Sequence, residues 1–477
     1  MTDVTTDDLH YLSATEALRR FRSKELSPFE LMNAVIDRAE KVEPAINAFA
    51  AERYDEALMA SKEAEARYAR GEPVGPLDGL AVAVKEEAPI AGQVNALGCV
   101  PLKDTVAEET AVFVQRILEA GGIVHARTTT PEFSCTAVTW SPLWGITRNP
   151  WNPAFSPGGS SGGSGASLAA GSATLATGSD IGGSIRIPSS FCGTVGFKPP
   201  YGRVPEVEIF NLDHYCHEGA MGRTVRDVAL LENVIAGPHP SDVASIRPKL
   251  VIPDELEPIA GMRIALSTDL GCYDVDAEVV ANTHAAAERL RDAGATVEDV
   301  ELAWDIADIR RAARIHFSMI FGPSIQEIYD THAGELASYT RRFVEESADI
   351  GKEAFVEGLL LEGKIYAPLG DLLERYDALI CPTFTVPALP AAWEVDDPIT
   401  VNGRAPEDWT DLLMTVPFNI ASRCPVMSVP SGVAATGVPT GLSVVGRTYD
   451  DVTVFRVAAA HEERFPWLDA PERRPEL

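Results

Sequence analysis

A segment rich in glycine and serine constrains the fold of this chain more than any other feature. Residues 156–186 hold nine glycines and eight serines in 31 positions. That composition is typical of a flexible linker. However, apolar runs interrupt the segment at 168–170 and 173–176, and Asp180 and Arg186 stand among apolar residues. A solvated linker would not carry such runs, so the sequence favours a buried element of defined shape.

The residue types in this segment suit acyl-transfer chemistry. Glycine lets backbone N–H groups approach a reacting atom, and serine hydroxyls can supply a nucleophile and a proton path. Ser160 and Ser184 stand out for these roles. Upstream, residues 80–84 form a short apolar run typical of a buried strand, and the run ends at Lys85. Burial disfavours a charged ammonium, so Lys85 is a candidate base, whereas a lysine that has emerged at the surface is the structural alternative.

Several of these motifs resemble the amidase signature family. The resemblance is carried by residues 80–85, 158–164, 180–188, 191–199 and 201–204. Ser160 follows Lys85 by 75 residues and Ser184 follows Ser160 by 24, as the family pattern asks. Three anchors at matching separations are far more specific than any single motif. The resemblance extends over residues 27–463 and is dense over 75–203.

The resemblance implies an enzyme that hydrolyses a carboxylic amide with a Ser-Ser-Lys triad. Ser184 would attack the carbonyl carbon and carry the acyl group, and Lys85 would be the base. Ser160, held in a cis peptide after Gly159, would relay the proton between them. Because Lys85 must be neutral to accept a proton, we expect its neighbours to be hydroxyls and amides rather than carboxylates. Esters or carbamates are further candidate substrates.

Other residues around the two serines have candidate supporting roles. The backbone N–H groups expected to form an oxyanion hole belong to Ile181, Gly182, Gly183 and Ser184. Asp180 and Arg186 are expected to hold the loop through buried hydrogen bonds, with a purely structural ion pair as the alternative. Ser134 lies in a loop that resembles the family segment leading into the glycine-rich motif, which implies a position near Lys85 and the substrate.

The order of elements predicts an α/β fold. Helical and strand patterns alternate along most of the chain, and the family resemblance implies a large mixed β-sheet covered by helices on both faces. We expect a single domain over residues 1–477. Its parts would be N-terminal helices (1–70), the catalytic region (75–203) and a remainder that supplies further sheet, helices and pocket walls (204–477).

Composition and charge exclude several classes of function. With 70 acidic and 40 basic residues, the formal net charge is −30, which opposes binding to nucleic acid. No apolar run approaches the length of about 20 residues that crosses a bilayer, and residues 1–10 do not resemble a targeting signal, so we expect no membrane association and a cytoplasmic location. The seven scattered cysteines fit no disulfide framework or thiolate metal site. A small-molecule amide is the expected partner, with no cofactor or metal, and a homodimer is left open.

Three alternatives remain to be compared with the structure. Within the family, the chain could be the glutaminase component of a tRNA-dependent amidotransferase, although residues 211–221 and the Lys85-Glu86-Glu87 run depart from what that component would carry. Outside the family, Gly158-Gly159-Ser160-Ser161-Gly162 satisfies the G-x-S-x-G pattern of an α/β-hydrolase with Ser160 as nucleophile. His214, His217 and Glu218 could hold a metal ion, although their spacing fits no strong ligand pattern and a pocket wall is the favoured interpretation.

Overall fold

The computed structural model describes residues 6–206, 208–468 and 470–477. Helices account for most of the described elements. They are α1 (Ala14–Ser23), α2 (Pro28–Ile46), α3 (Tyr54–Arg70), α4 (Val112–Glu119), α5 (Gly162–Ala170), α6 (Arg186–Cys192), α7 (Val225–Ile235), α8 (Ala277–Asp292), α9 (Ile306–His332), α10 (Ser338–Ser347), α11 (Glu353–Leu373), α12 (Pro417–Ile420) and α13 (Asp451–Arg464). Among these residues, no helix combines the length and apolar character needed to cross a membrane.

The strands form one large mixed sheet and a small hairpin. They are β1 (Phe49–Glu52), β2 (Ala81–Lys85), β3 (Ile123–Thr128), β4 (Trp140–Ser141), β5 (Gly145–Ile146), β6 (Leu175–Ser179), β7 (Val195–Lys198), β8 (Glu218–Gly222), β9 (Arg263–Leu266), β10 (Thr296–Asp299), β11 (Ala378–Pro382), β12 (Val426–Val433) and β13 (Pro439–Gly446). Within the described residues the sheet has 11 strands in the order β1-β3-β2-β6-β8-β7-β12-β13-β11-β9-β10, and β4 pairs with β5. The α/β class and the mixed sheet predicted from the sequence are confirmed.

Local signals placed several elements correctly. The run Ser27-Pro28-Phe29-Glu30 predicts a helix start with a capping box, and Ser27 does cap α2 and form that box with Glu30. α3 ends where Gly71 adopts a left-handed conformation with φ of +76°, which glycine reaches without a side-chain clash. The sequence also predicts that Thr110 caps the next helix. That prediction is wrong, because α4 begins after Ala111 and the Thr110 hydroxyl accepts a hydrogen bond from the Ala91 N–H instead.

The segment at 156–186 lies inside the protein, which confirms the buried element and excludes the linker. Every residue in it is buried except Gly182, which is partly exposed. It supplies α5, β6 and the start of α6. Close packing explains part of the glycine content: a Cβ atom added to Gly159 would lie 2.7 Å from the backbone nitrogen of Val138.

The sheet topology brings distant parts of the chain to one edge. β2 lies between β3 and β6 and runs parallel to both. β2 ends at Lys85 and β6 ends at Ser179. The carboxyl ends of parallel strands meet at the same edge of a sheet, which is where α/β proteins place their sites. The loops that follow β2 and β6 are therefore neighbours.

Candidate active site

Lys85 is the first of the predicted site residues. It ends β2 and its side chain is 1% exposed, so the alternative of a surface lysine is wrong. Its Nζ atom forms hydrogen bonds with Ser160 Oγ at 2.7 Å and with Ser179 Oγ at 2.8 Å. The amine thus contacts a hydroxyl that lies 75 residues further along the chain.

Ser160 and Ser184 belong to neighbouring segments. Ser160 precedes α5, and the Gly159–Ser160 peptide bond is cis, as the resemblance implied. Ser184 lies in the turn between β6 and α6 and is 7% exposed. The Ser161 N–H donates a hydrogen bond to the Ser184 carbonyl at 3.2 Å, which ties the two segments together. Gly159 and Ser184 line one cavity of about 30 Å³, which we call the nucleophile cavity.

The backbone donors expected at the oxyanion hole are not equivalent. The Gly183 N–H donates a hydrogen bond to Asp180 Oδ1 at 2.9 Å, so it is not available to a substrate in this structure. Within the described parts of the chain, no protein acceptor faces the N–H groups of Ile181, Gly182 or Ser184. Three of the four expected N–H groups are thus unpaired in this structure, and those three residues all line the nucleophile cavity.

Asp180 and Arg186 form a buried ion pair that shapes this turn. Both side chains are fully buried, and Arg186 Nη2 lies 2.7 Å from Asp180 Oδ1. Asp180 also accepts hydrogen bonds from the Gly183 N–H, from the Ile185 N–H at 3.2 Å and from Asn419 Nδ2 at 2.8 Å. The two expected roles, ion pair and loop support, thus occur together, because one carboxylate bonds both the guanidinium and the backbone of the turn.

Replacing Asp180 by asparagine is expected to destabilise the protein by about 3–5 kcal/mol, because the buried Arg186 charge would lose its partner. For a chain of this length that corresponds to a fall in Tm of about 3–5 °C. Burial alone would raise the pKa of Asp180, but the Arg186 charge and the hydrogen bonds hold it below its usual range. The stabilisation by the ion pair is therefore complete at pH values above the pKa of Asp180 in the unfolded chain, which is near 4. It is lost as the pH falls below that value. Thermal unfolding at pH 7 and below pH 4 measures both effects.

Glu25→Gln is the matched control for this measurement. Glu25 pairs with Arg19 at 2.9 Å, but its side chain is 54% exposed and solvent screens the pair, so we expect a Tm close to that of the wild type. A Tm for Asp180→Asn equal to that of the wild type at pH 7 would show that the pair does not stabilise the turn.

A carboxylate beside Lys85 contradicts one sequence expectation. Glu87 Oε1 lies 2.8 Å from Lys85 Nζ, although hydroxyls and amides were expected around the amine. The Glu87 carboxylate also accepts a hydrogen bond from the Ser134 hydroxyl. Burial raises the pKa of Glu87, but the Lys85 charge and these hydrogen bonds outweigh it and lower the pKa overall. Lys85 can therefore act as a base only after a proton has left the Lys85–Glu87 ion pair.

Ser134 lies between two cavities. It lines the nucleophile cavity and also a neighbouring cavity of about 110 Å³, which we call the acidic cavity because Glu87, Glu206 and Glu218 lie in its wall. The proximity of Ser134 to Lys85 that the resemblance implied is therefore found, with Glu87 between them. The opposite wall of the nucleophile cavity is aromatic and consists of Phe317, Phe321, Phe343 and Trp409.

The histidines at 214 and 217 do not form a metal centre. His214 Nε2 lies 3.1 Å from Glu362 Oε2, whereas the His217 ring bonds the carbonyl oxygens of Asp180 and Ser422, each at 3.1 Å. In the part of the chain that the structure describes, no three side chains of metal-binding type converge on one point. The favoured interpretation of this segment as packed wall fits these contacts.

Sequence reasoning missed Ser179, Glu87 and Asn419. Ser179 could have been found, because a predicted strand near 173–177 running parallel to the strand that ends at Lys85 places its last residues beside that amine. Glu87 was noticed only as a departure from the family pattern. Asn419 forms hydrogen bonds with both Asp180 and Arg186. It lies 233 residues after Arg186 in the sequence, and no local signal marks it.

Comparisons with known proteins show which family and which fold this chain shares. A family model described as Amidase matches residues 30–455. An acylamidase of Rhodococcus erythropolis is 33% identical over 481 residues, which cover 98% of each chain. A component of the glutamyl-tRNA(Gln) amidotransferase of Thermosynechococcus vestitus is 32% identical, over 97% of this chain and 99% of the relative. The crystal structure of a bacterial aryl acylamidase aligns with a TM-score of 0.91 and 30% identity, over 98% of this chain and 100% of the other.

Proposed function

This chain belongs to the amidase signature family, and on that premise we propose that it is a stand-alone amidase whose nucleophile is Ser184. It is an amidohydrolase that acts on a small-molecule amide. The observation that carries the assignment of roles is the contact of a buried lysine amine with Ser160 Oγ at 2.7 Å, beside a cavity that Ser184 lines. Ser160 is then the proton relay, and Lys85 is the base.

The first half of the reaction forms an acyl-enzyme. Ser184 Oγ bonds to the amide carbonyl carbon while its proton passes to Ser160, and the Ser160 proton passes to a neutral Lys85. The N–H groups of Ile181, Gly182 and Ser184 are available to stabilise the negative charge that develops on the carbonyl oxygen. The carbon–nitrogen bond then breaks, and the leaving nitrogen takes a proton back through Ser160.

The second half releases the acid and restores the enzyme. A water molecule bonds to the acyl carbon while its proton passes through Ser160 to Lys85. The carbon–oxygen bond to Ser184 then breaks, and Ser184 recovers its proton by the same path. Ser179, at 2.8 Å from Lys85 Nζ, holds the amine in place during both halves.

The walls of the cavities favour an apolar amide over glutamine. Glutamine carries a carboxylate, which a glutaminase must bind with cationic or hydrogen-bonding groups. Among the described residues, neither cavity has an arginine or lysine in its wall, and three glutamates line the larger one. These glutamates would attract the α-ammonium of glutamine, but its adjoining α-carboxylate would lie beside like charges with no cationic partner. The aromatic side of the nucleophile cavity instead suits an aryl or alkyl group.

Aromatic anilides are expected to be the better substrates in a direct comparison with glutamine. A purified sample would be assayed with 4-nitroacetanilide, benzamide, a phenyl ester, a phenyl carbamate and L-glutamine. We expect kcat/KM for the anilide to exceed that for glutamine by at least about a hundredfold, because the cavity offers the glutamine carboxylate no partner. A preference for glutamine would instead support the glutaminase component of an amidotransferase.

A fluorophosphonate label separates the family mechanism from the α/β-hydrolase alternative. The reagent is expected to modify one serine, and peptide mapping should place the label on Ser184. Modification of Ser160 would favour the α/β-hydrolase alternative and contradict the relay role given to it here.

A further inference from the structure

The acidic cavity adjoins the nucleophile cavity. The two share Ser134, Ile181 and Phe321 in their walls. A molecule bound with its carbonyl at Ser184 therefore has the acidic cavity as its neighbour beyond Ser134 and Ile181. At about 110 Å³, the acidic cavity has room for several non-hydrogen atoms. The residues that line it thus decide what the distal part of a substrate can be.

Three carboxyl groups from separate segments meet in this wall. Glu87 follows β2, Glu206 precedes β8 and Glu218 is the first residue of β8. Lys85 pairs directly with Glu87, at 2.8 Å, and its charge also acts on Glu218. Glu218 is 5% exposed, and its carboxyl lies close enough to that of Glu206 for the two to interact. In the same part of the chain, the buried Oε2 atom of Glu206 has no hydrogen-bond partner at all.

Electrostatics make this arrangement costly without a ligand. Burial raises the pKa of Glu206 well above its ordinary value, and nearby carboxylates raise it further. Burial and the Glu206 charge likewise raise the pKa of Glu218. Two neighbouring carboxyls in one cavity wall oppose each other's ionisation, because each negative charge raises the pKa of the other group. A cationic group in the cavity would stabilise both carboxylates and give the unpaired oxygen a partner.

The rest of the wall indicates what kind of cation fits. No three metal-binding side chains converge within the described residues, which disfavours a bound metal ion. The other lining residues are mostly apolar and include Leu97, Phe113, Phe133 and Phe210. Aromatic faces attract organic cations, and aliphatic walls accept the carbon chain that carries the charge. An alkylammonium group meets both conditions.

We propose that the acidic cavity is a substrate subsite for a protonated amine, so that the preferred amides carry an ammonium group on the part of the molecule distal to the scissile bond. The proposal rests on the proposed amidase function and names its substrate class. Glu206 and Glu218 are the specificity-determining residues, and Glu87 contributes to the same field while it is paired with Lys85.

Matched anilides with and without a terminal ammonium test the subsite. The series consists of ω-aminoacyl 4-nitroanilides of increasing chain length, each compared with the acyl anilide that has methyl in place of ammonium. For at least one length, we expect kcat/KM to favour the ammonium substrate by about tenfold or more at pH 7. Glu206→Gln and Glu218→Gln should each lower that ratio by about tenfold. Glu232→Gln is the control, because Glu232 is 2% exposed but lines neither cavity, and it should leave the ratio unchanged.

A binding measurement separates failure of the subsite from failure of the amidase function. 4-Phenylbutylammonium is expected to raise the Tm of the wild type more than 4-phenylbutanol does, and Glu218→Gln should remove the difference. Hydrolysis of the anilides with no ammonium preference at any length, or with a preference that both variants retain, would overturn the subsite. If the ammonium ion stabilised the protein through Glu218 but no anilide were hydrolysed, the subsite would stand and the proposed function would fall.

Discussion

Ser184→Ala is expected to lower kcat for anilide hydrolysis by about 10⁴-fold or more. The hydroxyl that forms the acyl bond would be absent. The other hydroxyl residues in the wall of the nucleophile cavity, Ser134 and Thr136, belong to a different loop from the free N–H groups of Ile181 and Gly182. The backbone donors would remain, so some residual catalysis by transition-state binding is expected. Steady-state assays with an aromatic anilide, together with the fluorophosphonate label, measure the loss.

Folding must be shown to be intact for this result to have meaning. Ser184 Oγ makes no protein hydrogen bond in the described structure, so the Tm of the variant should stay close to that of the wild type. Ser167→Ala is a matched control from the same glycine-rich segment: its hydroxyl donates only to the Ser164 carbonyl at 3.0 Å, within α5, where alanine is favourable. We expect it to retain activity. Turnover by Ser184→Ala at the rate of Ser167→Ala would remove Ser184 from the mechanism.

Lys85→Ala is expected to reduce kcat by about 10²–10⁴-fold, the usual contribution of a general base. The variant keeps both serines but leaves Ser160 without the amine that lies 2.7 Å from its hydroxyl. A base can be replaced from solution, whereas a structural contact cannot. Small primary amines should therefore restore part of the activity, in proportion to their neutral fraction. Loss of activity that no amine restores, with a lowered Tm, would indicate a structural role.

Elements with local signals were predicted well from the sequence. The capping box at Ser27, the glycine after α3 and the short apolar run before Lys85 all depend on residues that lie within a few positions of each other. The physical causes are correspondingly local: an N-terminal cap, a left-handed residue and a strand buried on both faces. Thr110 shows the limit, because its hydroxyl bonds a backbone N–H from another segment instead of capping α4.

The sequence predicted which residues belong to the candidate site better than it predicted their contacts and charges. The motif spacing selected Lys85, Ser160 and Ser184, and the structure brings Lys85 and Ser160 into contact. The charge state around the lysine was predicted wrongly, because whether Glu87 turns toward Lys85 or toward solvent depends on how the loop after β2 packs. Loop packing also decides whether the Gly183 N–H is free. The sequence suggested a free donor there, whereas in the structure this N–H donates a hydrogen bond to Asp180.

The sequence alone determined the fold class, the buried nature of the glycine-rich segment and the residues of the candidate triad. The first two depend on composition and periodicity, which are properties of the chain itself. The triad residues were identified from the resemblance of the motifs and their separations to the amidase signature family. The tertiary structure alone decided which backbone donors stay free, that Ser179 and Glu87 contact Lys85, and that Glu87, Glu206 and Glu218 line one cavity. Those facts depend on strand order and on contacts between segments up to hundreds of residues apart, and hydrogen bonding and desolvation act through distance in space rather than along the chain.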